Sequence, residues 1–262
     1  MTDDLGAAGL RFERDGVVGW CIIDRPQARN AFTPAMYFGI KRAVHLVNHD
    51  PDLRAMVITG TGDVFSAGGD LGGRSEPGDA PVPDIGHETL PFLTIRDSRA
   101  PVVAAVNGIC QAGGLLVAMM CDIAVASDRA MFRAPELLRG IVDATYAAVL
   151  PAHVGIGVAR DLLLSARRFD AEEAQRLGVI TRVVPHEQLR DAAVEAVGQI
   201  LQTGPLARMH VKRMLNDRYG LIDYQTMFGS LEDSPEPREG MQSFMEKRPP
   251  NWIPEQFAPE PT

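Results

Sequence analysis

Two stretches of the chain place glycines where a strand hands over to a helix. The first reads VITGTGDVFSAGGDLGG over 57–73, the second PVVAAVNGICQAGGLLVAMMCDIAVAS over 101–127. Glycine lets a ligand come close to the backbone, and a helix that starts there leaves its first-turn N–H groups without intrahelical partners. Together these features favour negative charge. Two such turns facing one point supply two donors to one oxygen, which is oxyanion-hole chemistry, where removing one donor costs about 3 kcal/mol. Read alone, each junction is first of all a plain turn, because glycine after a strand is ordinary punctuation.

Other chemistries are absent from the residue pattern. No Gly-Lys dipeptide offers a P-loop lysine, and Gly60-Thr61-Gly62 is followed by Phe65 where a nucleotide fingerprint needs its third glycine. His87-Glu88 and His186-Glu187 have no histidine three residues on, and the six histidines do not fall at ligand spacing, so no metal is expected. Ser66 has Val64 where a nucleophile elbow has glycine.

The elements that must carry the two turns follow from periodicity. Val17 to Asp24 is short, apolar and β-branched, and Arg25-Pro26 stops it. Pro34 opens a helical pattern with Met36, Ile40, Val44 and Val47 on one side and Lys41, Arg42 and Asn48 outward, closed at Asp50-Pro51. Arg54 to Thr59, Pro101 to Val106 and Ile123 to Ala126 read as buried strands. Separated by glycine turns and helices, they imply parallel pairing with right-handed crossovers. Helices are expected over 157–166, 171–178, 186–203 and 205–218, with Thr181 to Val184 extended. Gly72 to Pro91 has no period and reads as a long loop or flap, and Arg248 to Thr262 as an extended tail.

Composition bounds the partners. The 262 residues are 45% hydrophobic and 23% charged, enough to build a core, and a formal charge of -8 has the wrong sign for a broad nucleic-acid surface. A pocket lined with backbone N–H groups can still hold an anion. Three scattered cysteines, Cys21, Cys110 and Cys121, suggest a reducing compartment. With the acidic start MTDDLGAAGL and no long apolar run, they make a cytoplasmic protein without membrane contact the expectation.

The same residues carry a resemblance. FSAGGDL (65–71) resembles the F-x-A-G-x-D-[LI] segment of the crotonase, or enoyl-CoA hydratase/isomerase, family, and 107–127 resembles its N-G-x-x-x-G-G-G-x-x-[LVA]-x-x-x-C-D-x-x-x-A-[ST] stretch. RPQARNAF (25–32), FRAPELLRGI (132–141) and EGMQSFMEKRPPNW (239–252) are similar to further family segments in the same order. The resemblance implies an α/β fold built as a spiral of ββα turns. Residues 1–200 would form the acyl-CoA-binding core, and 201–262 a helical oligomerisation region with a tail, assembling a homotrimer or a dimer of trimers.

It also implies roles. Acyl-CoA thioesters bind in this family with the carbonyl oxygen on two backbone N–H groups, and the matching positions are Gly69 and Gly113. Gln27, Ala28 and Arg29, with Ala67, Asp70 and Leu71, match the part that holds the CoA adenine and pantetheine. Coenzyme A is thus part of the substrate, and no separate cofactor is implied. Lys247 and Arg248 lie where relatives offer a basic residue to CoA phosphate. The family's hydratases use two glutamates that hold one water; here Leu116 stands at the first position, and Glu136 keeps the second.

A single carboxyl beside Leu115, Leu116 and Val117 suffices to move one proton, as in double-bond isomerisation. Hydration is the alternative, with Asp143 or Glu88 as the second acid. A third reading is an acyl-CoA binder without catalysis. Asp143 is also read as a helix cap, while Tyr146, His153 and Met119-Met120 are read as core.

Overall fold

A computed structural model describes residues 3–73, 75–83, 89–254 and 256. Glu88, the second-acid candidate in the loop, lies outside the described residues. The chain opens with a hairpin of β1 (Leu10–Asp15) and β2 (Val18–Ile23), turned at Gly16 and Val17. β2 is the strand expected at 17–24. β1 is an addition, and only its Leu10 and Phe12 are buried. α1 (Pro34–His49) starts where the sequence places it: Thr33 Oγ1 accepts from the Met36 amide at 3.2 Å, and Met36, Ile40, Val44 and Val47 are buried.

Three times the chain then runs through a strand of a large sheet, a short strand of a second sheet, and a helix. The first turn is β3 (Ala55–Gly60), β4 (Val64–Ser66) and α2 (Phe92–Arg96). The second is β5 (Val102–Val106), β6 (Ile109–Gln111) and α3 (Gly113–Met120). The third is β7 (Ile123–Ser127), β8 (Met131–Arg133), a 3-10 turn at Glu136–Arg139, and α4 (Ala144–Val154). α5 (Ile156–Ser165), β9 (Phe169–Asp170), α6 (Ala171–Leu177), β10 (Arg182–Val184), α7 (Leu189–Leu201), α8 (Pro205–Asn216), α9 (Tyr224–Asp233) and α10 (Glu236–Glu246) follow.

The large sheet has the order β1-β2-β3-β5-β7-β10, parallel except for the hairpin; the small one is β4-β6-β8-β9, antiparallel only at β8 and β9. This mixed α/β spiral is the architecture the resemblance implied. Both faces of the large sheet are covered. Trp20, Val57, Val103 and Val125 pack against Leu189, Ala193 and Val197 of α7. On the other face Cys21, Ile23, Ile58 and Ala104 join a core that includes α1 and α3. Burial on both sides is why these strands read as continuous apolar runs instead of alternating ones.

Two buried asparagines tie the sheets together at their joints. Asn30 donates to the carbonyls of Thr61 (3.0 Å) and Val64 (2.6 Å) and accepts from the Arg25 amide. Asn107 accepts from the Gly60 amide and donates to the Gly62 carbonyl.

The last described residues depart from the expected extended tail. They form a bend and a turn pinned to α10, with the Asn251 amide donating to Glu239 Oε1 at 2.8 Å. α8 leaves Leu206, Val211, Met214 and Leu215 exposed. No helix among the described residues is long and apolar enough to cross a membrane.

Candidate active site

The first glycine turn is held by the RPQARN segment. Pro26–Ala28 forms a 3-10 turn, Arg29 and Asn30 follow with positive φ, and the Arg29 carbonyl accepts from the Ala67 amide at 3.1 Å. One residue pair then acts as a parallel bridge, Phe32 with Gly69. The Phe32 amide donates to the Gly68 carbonyl and the Asp70 amide to the Phe32 carbonyl, both at 2.8 Å, so the Gly69 N–H takes no part in the bridge. Arg25, buried at 5% exposure, donates to Asp70 Oδ2 at 2.7 Å, to the Ala31 carbonyl and to Glu76, which fixes the end of the turn. Gln27, Ala28, Arg29, Ala67, Asp70 and the half-exposed Leu71 therefore lie along two adjoining segments.

The second turn begins α3. Gly113 is the first residue of that helix, where the N–H groups have no intrahelical acceptor. Ala112 before it has φ 50° and ψ -132°; its amide donates to the Arg133 carbonyl, and its carbonyl accepts from the Tyr146 hydroxyl at 2.7 Å. Tyr146, read from sequence as core, is fully buried and fixes this turn.

The two turns touch. At Gly68, with φ 100°, a β-carbon would run into the Ala112 side chain and stand 3.4 Å from the Gly113 nitrogen. The backbone next to Gly69 thus meets the start of α3 at Gly113, so two different sheet-to-helix junctions are in contact.

Glu136 opens the 3-10 turn after β8, and its Oε2 is buried with no hydrogen-bond partner. Burial, and then the nearby charge of Asp143, push its carboxyl up to about 8. Asp143 caps α4, accepting from the Thr145 (2.8 Å) and Tyr146 (3.0 Å) amides, and burial raises it too despite those bonds. The capping reading of Asp143 is the one the geometry fits, and the charge of the cap also acts on Glu136. Leu115, Leu116 and Val117 are buried, so the position where hydratases of the family carry their first glutamate is apolar. A carboxyl whose pKa lies near neutrality can both accept and return a proton.

Two features escape sequence reasoning. Arg29 shares a cavity of about 110 Å³ with Arg133 and Arg168, where burial and neighbouring guanidinium groups hold Arg133 below its usual range. Arg133 ends β8 and Arg168 lies in the loop before β9, so the two come from separate segments and carry no local motif. Arg248, by contrast, is engaged by both oxygens of Glu239 (2.6 and 3.0 Å), and Lys247 ends α10 in a left-handed conformation. The second feature is Tyr37 of α1, whose hydroxyl lies against both glycine turns. His153 sits away from them, 3.3 Å from the Tyr219 hydroxyl. Among the described residues no group of three His, Cys, Asp or Glu could hold a metal ion.

Comparison with known proteins points the same way. The family model described as enoyl-CoA hydratase/isomerase matches residues 13–255. A carnitinyl-CoA dehydratase of Citrobacter koseri is 36% identical over 93% of this chain and 97% of its own length. A probable mitochondrial enoyl-CoA hydratase of Dictyostelium discoideum is 32% identical over 92% of this chain and 89% of its own. The crystal structure of a carnitinyl-CoA hydratase from Mycobacterium avium superposes with a TM-score of 0.80 at 30% identity, covering 93% of this chain and 98% of that one.

Proposed function

Because the chain belongs to the enoyl-CoA hydratase/isomerase family, we propose that it acts on an acyl-CoA thioester through a thioester enolate, with Glu136 as its proton-transfer residue. The N–H groups of Gly69 and Gly113 hold the thioester oxygen, and the start of α3 adds its positive end to the same atom. The CoA moiety runs along Gln27 to Arg29 and Ala67 to Leu71, with its phosphates toward Arg29, Arg133 and Arg168.

The observation that carries the reading is the Glu136 carboxyl, buried, unpartnered at Oε2 and raised to about 8, facing no second glutamate at position 116. With a 3-enoyl-CoA, the ionised Glu136 takes the proton from C2, and the electron pair moves into a dienolate whose charge rests on the thioester oxygen. The same carboxyl then returns the proton to C4, which leaves the 2-enoyl-CoA. One group that is neither strongly acidic nor strongly basic serves both halves.

A second reading is addition or removal of water at C3. It is favoured by the identity to a carnitinyl-CoA dehydratase, and it uses Asp143 beside Glu136. Product analysis with 3-hexenoyl-CoA and crotonyl-CoA separates the two. We expect 2-hexenoyl-CoA to form, and to form about 10²- to 10⁴-fold more slowly in Glu136→Gln. Hydration of crotonyl-CoA at a higher rate than isomerisation supports the second reading, and binding of both thioesters without product supports a non-catalytic acyl-CoA binder.

A further inference from the structure

We propose that the Tyr37 hydroxyl is a third hydrogen-bond donor to the enolate oxygen, a catalytic group that α1 adds to the paired amides of Gly69 and Gly113. The inference rests on the oxyanion-hole reading above. Its ground is the position of one atom. A β-carbon built on Gly113 runs into the Tyr37 hydroxyl oxygen, and one built on Gly69 lies 3.4 Å from it. The hydroxyl therefore faces both glycines at once. An oxygen bound between the two glycines would then have the hydroxyl beside it as a further donor, and an O–H group prefers an oxygen acceptor at roughly 2.7 Å. Glycine at 113 makes room for the phenol, since any β-carbon there collides with it, while one at 69 would only touch it.

The ring is fixed so that the hydroxyl cannot wander. It packs against Phe32, with centroids 5.0 Å apart, and edge-on against Phe92 at 6.1 Å. Its own amide donates to the Thr33 carbonyl at 3.2 Å in the first turn of α1, next to the Phe32–Gly69 bridge. Thus the segment that aligns the first turn also aligns the phenol, and no reorganisation is needed when charge develops on the oxygen.

The hydroxyl also keeps its proton. Burial raises the phenol above its usual range, and the charges of Asp143 and Glu136 raise it further. It is accordingly a donor and not a base, and a donor suits an oxygen that gains negative charge. With Leu116 in place of one acid, the site gains in charge stabilisation what it lacks in acid–base groups.

Tyr37→Phe keeps both ring contacts and removes only the donor. For 3-hexenoyl-CoA we expect kcat to fall roughly 10- to 100-fold with KM little changed, the pattern of a contact made in the transition state. A second readout needs no turnover. Butyryl-CoA labelled with ¹³C at the thioester carbonyl should show a smaller downshift of its carbonyl band when bound to Tyr37→Phe than when bound to the wild-type protein.

An unchanged kcat together with an unchanged carbonyl band overturns the proposal. Glu136→Gln measured in parallel keeps the two claims apart. If it is inactive while Tyr37→Phe matches wild type in rate and band, only the role of Tyr37 falls. If Glu136→Gln stays active, the proton-transfer reading falls, and the carbonyl band still decides Tyr37.

Discussion

At Glu136, the burial that suits the proposed proton transfer also works against stability. The unfolded chain releases this proton near the ordinary carboxyl value of 4.5, whereas the folded protein keeps it to about 8. Between those values the folded state binds the extra proton, so stability falls as pH rises through the window and is fully present only below it. Glu136→Gln has no proton to lose. The urea midpoint of the wild-type protein should therefore drop between pH 5 and 8.5 by more than that of Glu136→Gln, and equal drops contradict the burial account. Glu136 itself was legible, because PEL follows FRA in the order the family resemblance requires. Tyr37 was not. It flanks the Met36, Ile40, Val44 stripe of α1, where an aromatic residue reads as packing, and its nearness to Gly69 and Gly113 exists only after three elements converge.

The start of α3 decides whether the two amides meet. Ala112 is held there at φ 50° and ψ -132°, over-determined by the Arg133 carbonyl, the Tyr146 hydroxyl and the Leu116 amide. A residue with a β-carbon in this region stores strain of order 1–3 kcal/mol, which glycine relieves at some cost in unfolded-state entropy. Ala112→Gly should thus raise stability to urea by about 1 kcal/mol with the helix start unchanged; a loss of stability contradicts the strain.

The long elements were readable because each has a periodic stripe or an unbroken apolar run, and α1, β2, β3, β5 and β7 fall within a residue or two of their expected bounds. β4, β6, β8 and β9 span two or three residues each, too short for any period to register. α4 escaped because it is apolar nearly all round and Pro151, which removes one backbone hydrogen bond, lies within it and reads as a helix breaker.

Over the whole molecule, distant segments close around the turn that bears Glu136. A β-carbon at Gly140 would stand 2.6 Å from Glu236, one at Gly240 would press on the Arg139 backbone, and the Arg139 guanidinium lies 4.1 Å from the centroid of the Phe244 ring. α10 therefore braces Glu136 from about a hundred residues further along the chain, a contact that motif order hinted at but local sequence cannot specify. The trimer or dimer of trimers that the resemblance implies for residues 201–262 has a counterpart in the single chain, the exposed apolar face of α8, but closure of a ring depends on geometry between copies that one chain's pattern does not contain.

The proposed site brings two amides and one carboxyl together from separate parts of the fold to act on one thioester. Exchange of the C2 protons of butyryl-CoA for deuterium in D₂O, followed by NMR, tests that gathering most directly, because it needs enolate formation and no further step. Exchange catalysed by the wild-type protein should rise with pH toward about 8 and fall at least about 10²-fold in Glu136→Gln. Equal exchange by the two proteins, or none above the uncatalysed rate in the wild type, would contradict proton transfer by Glu136.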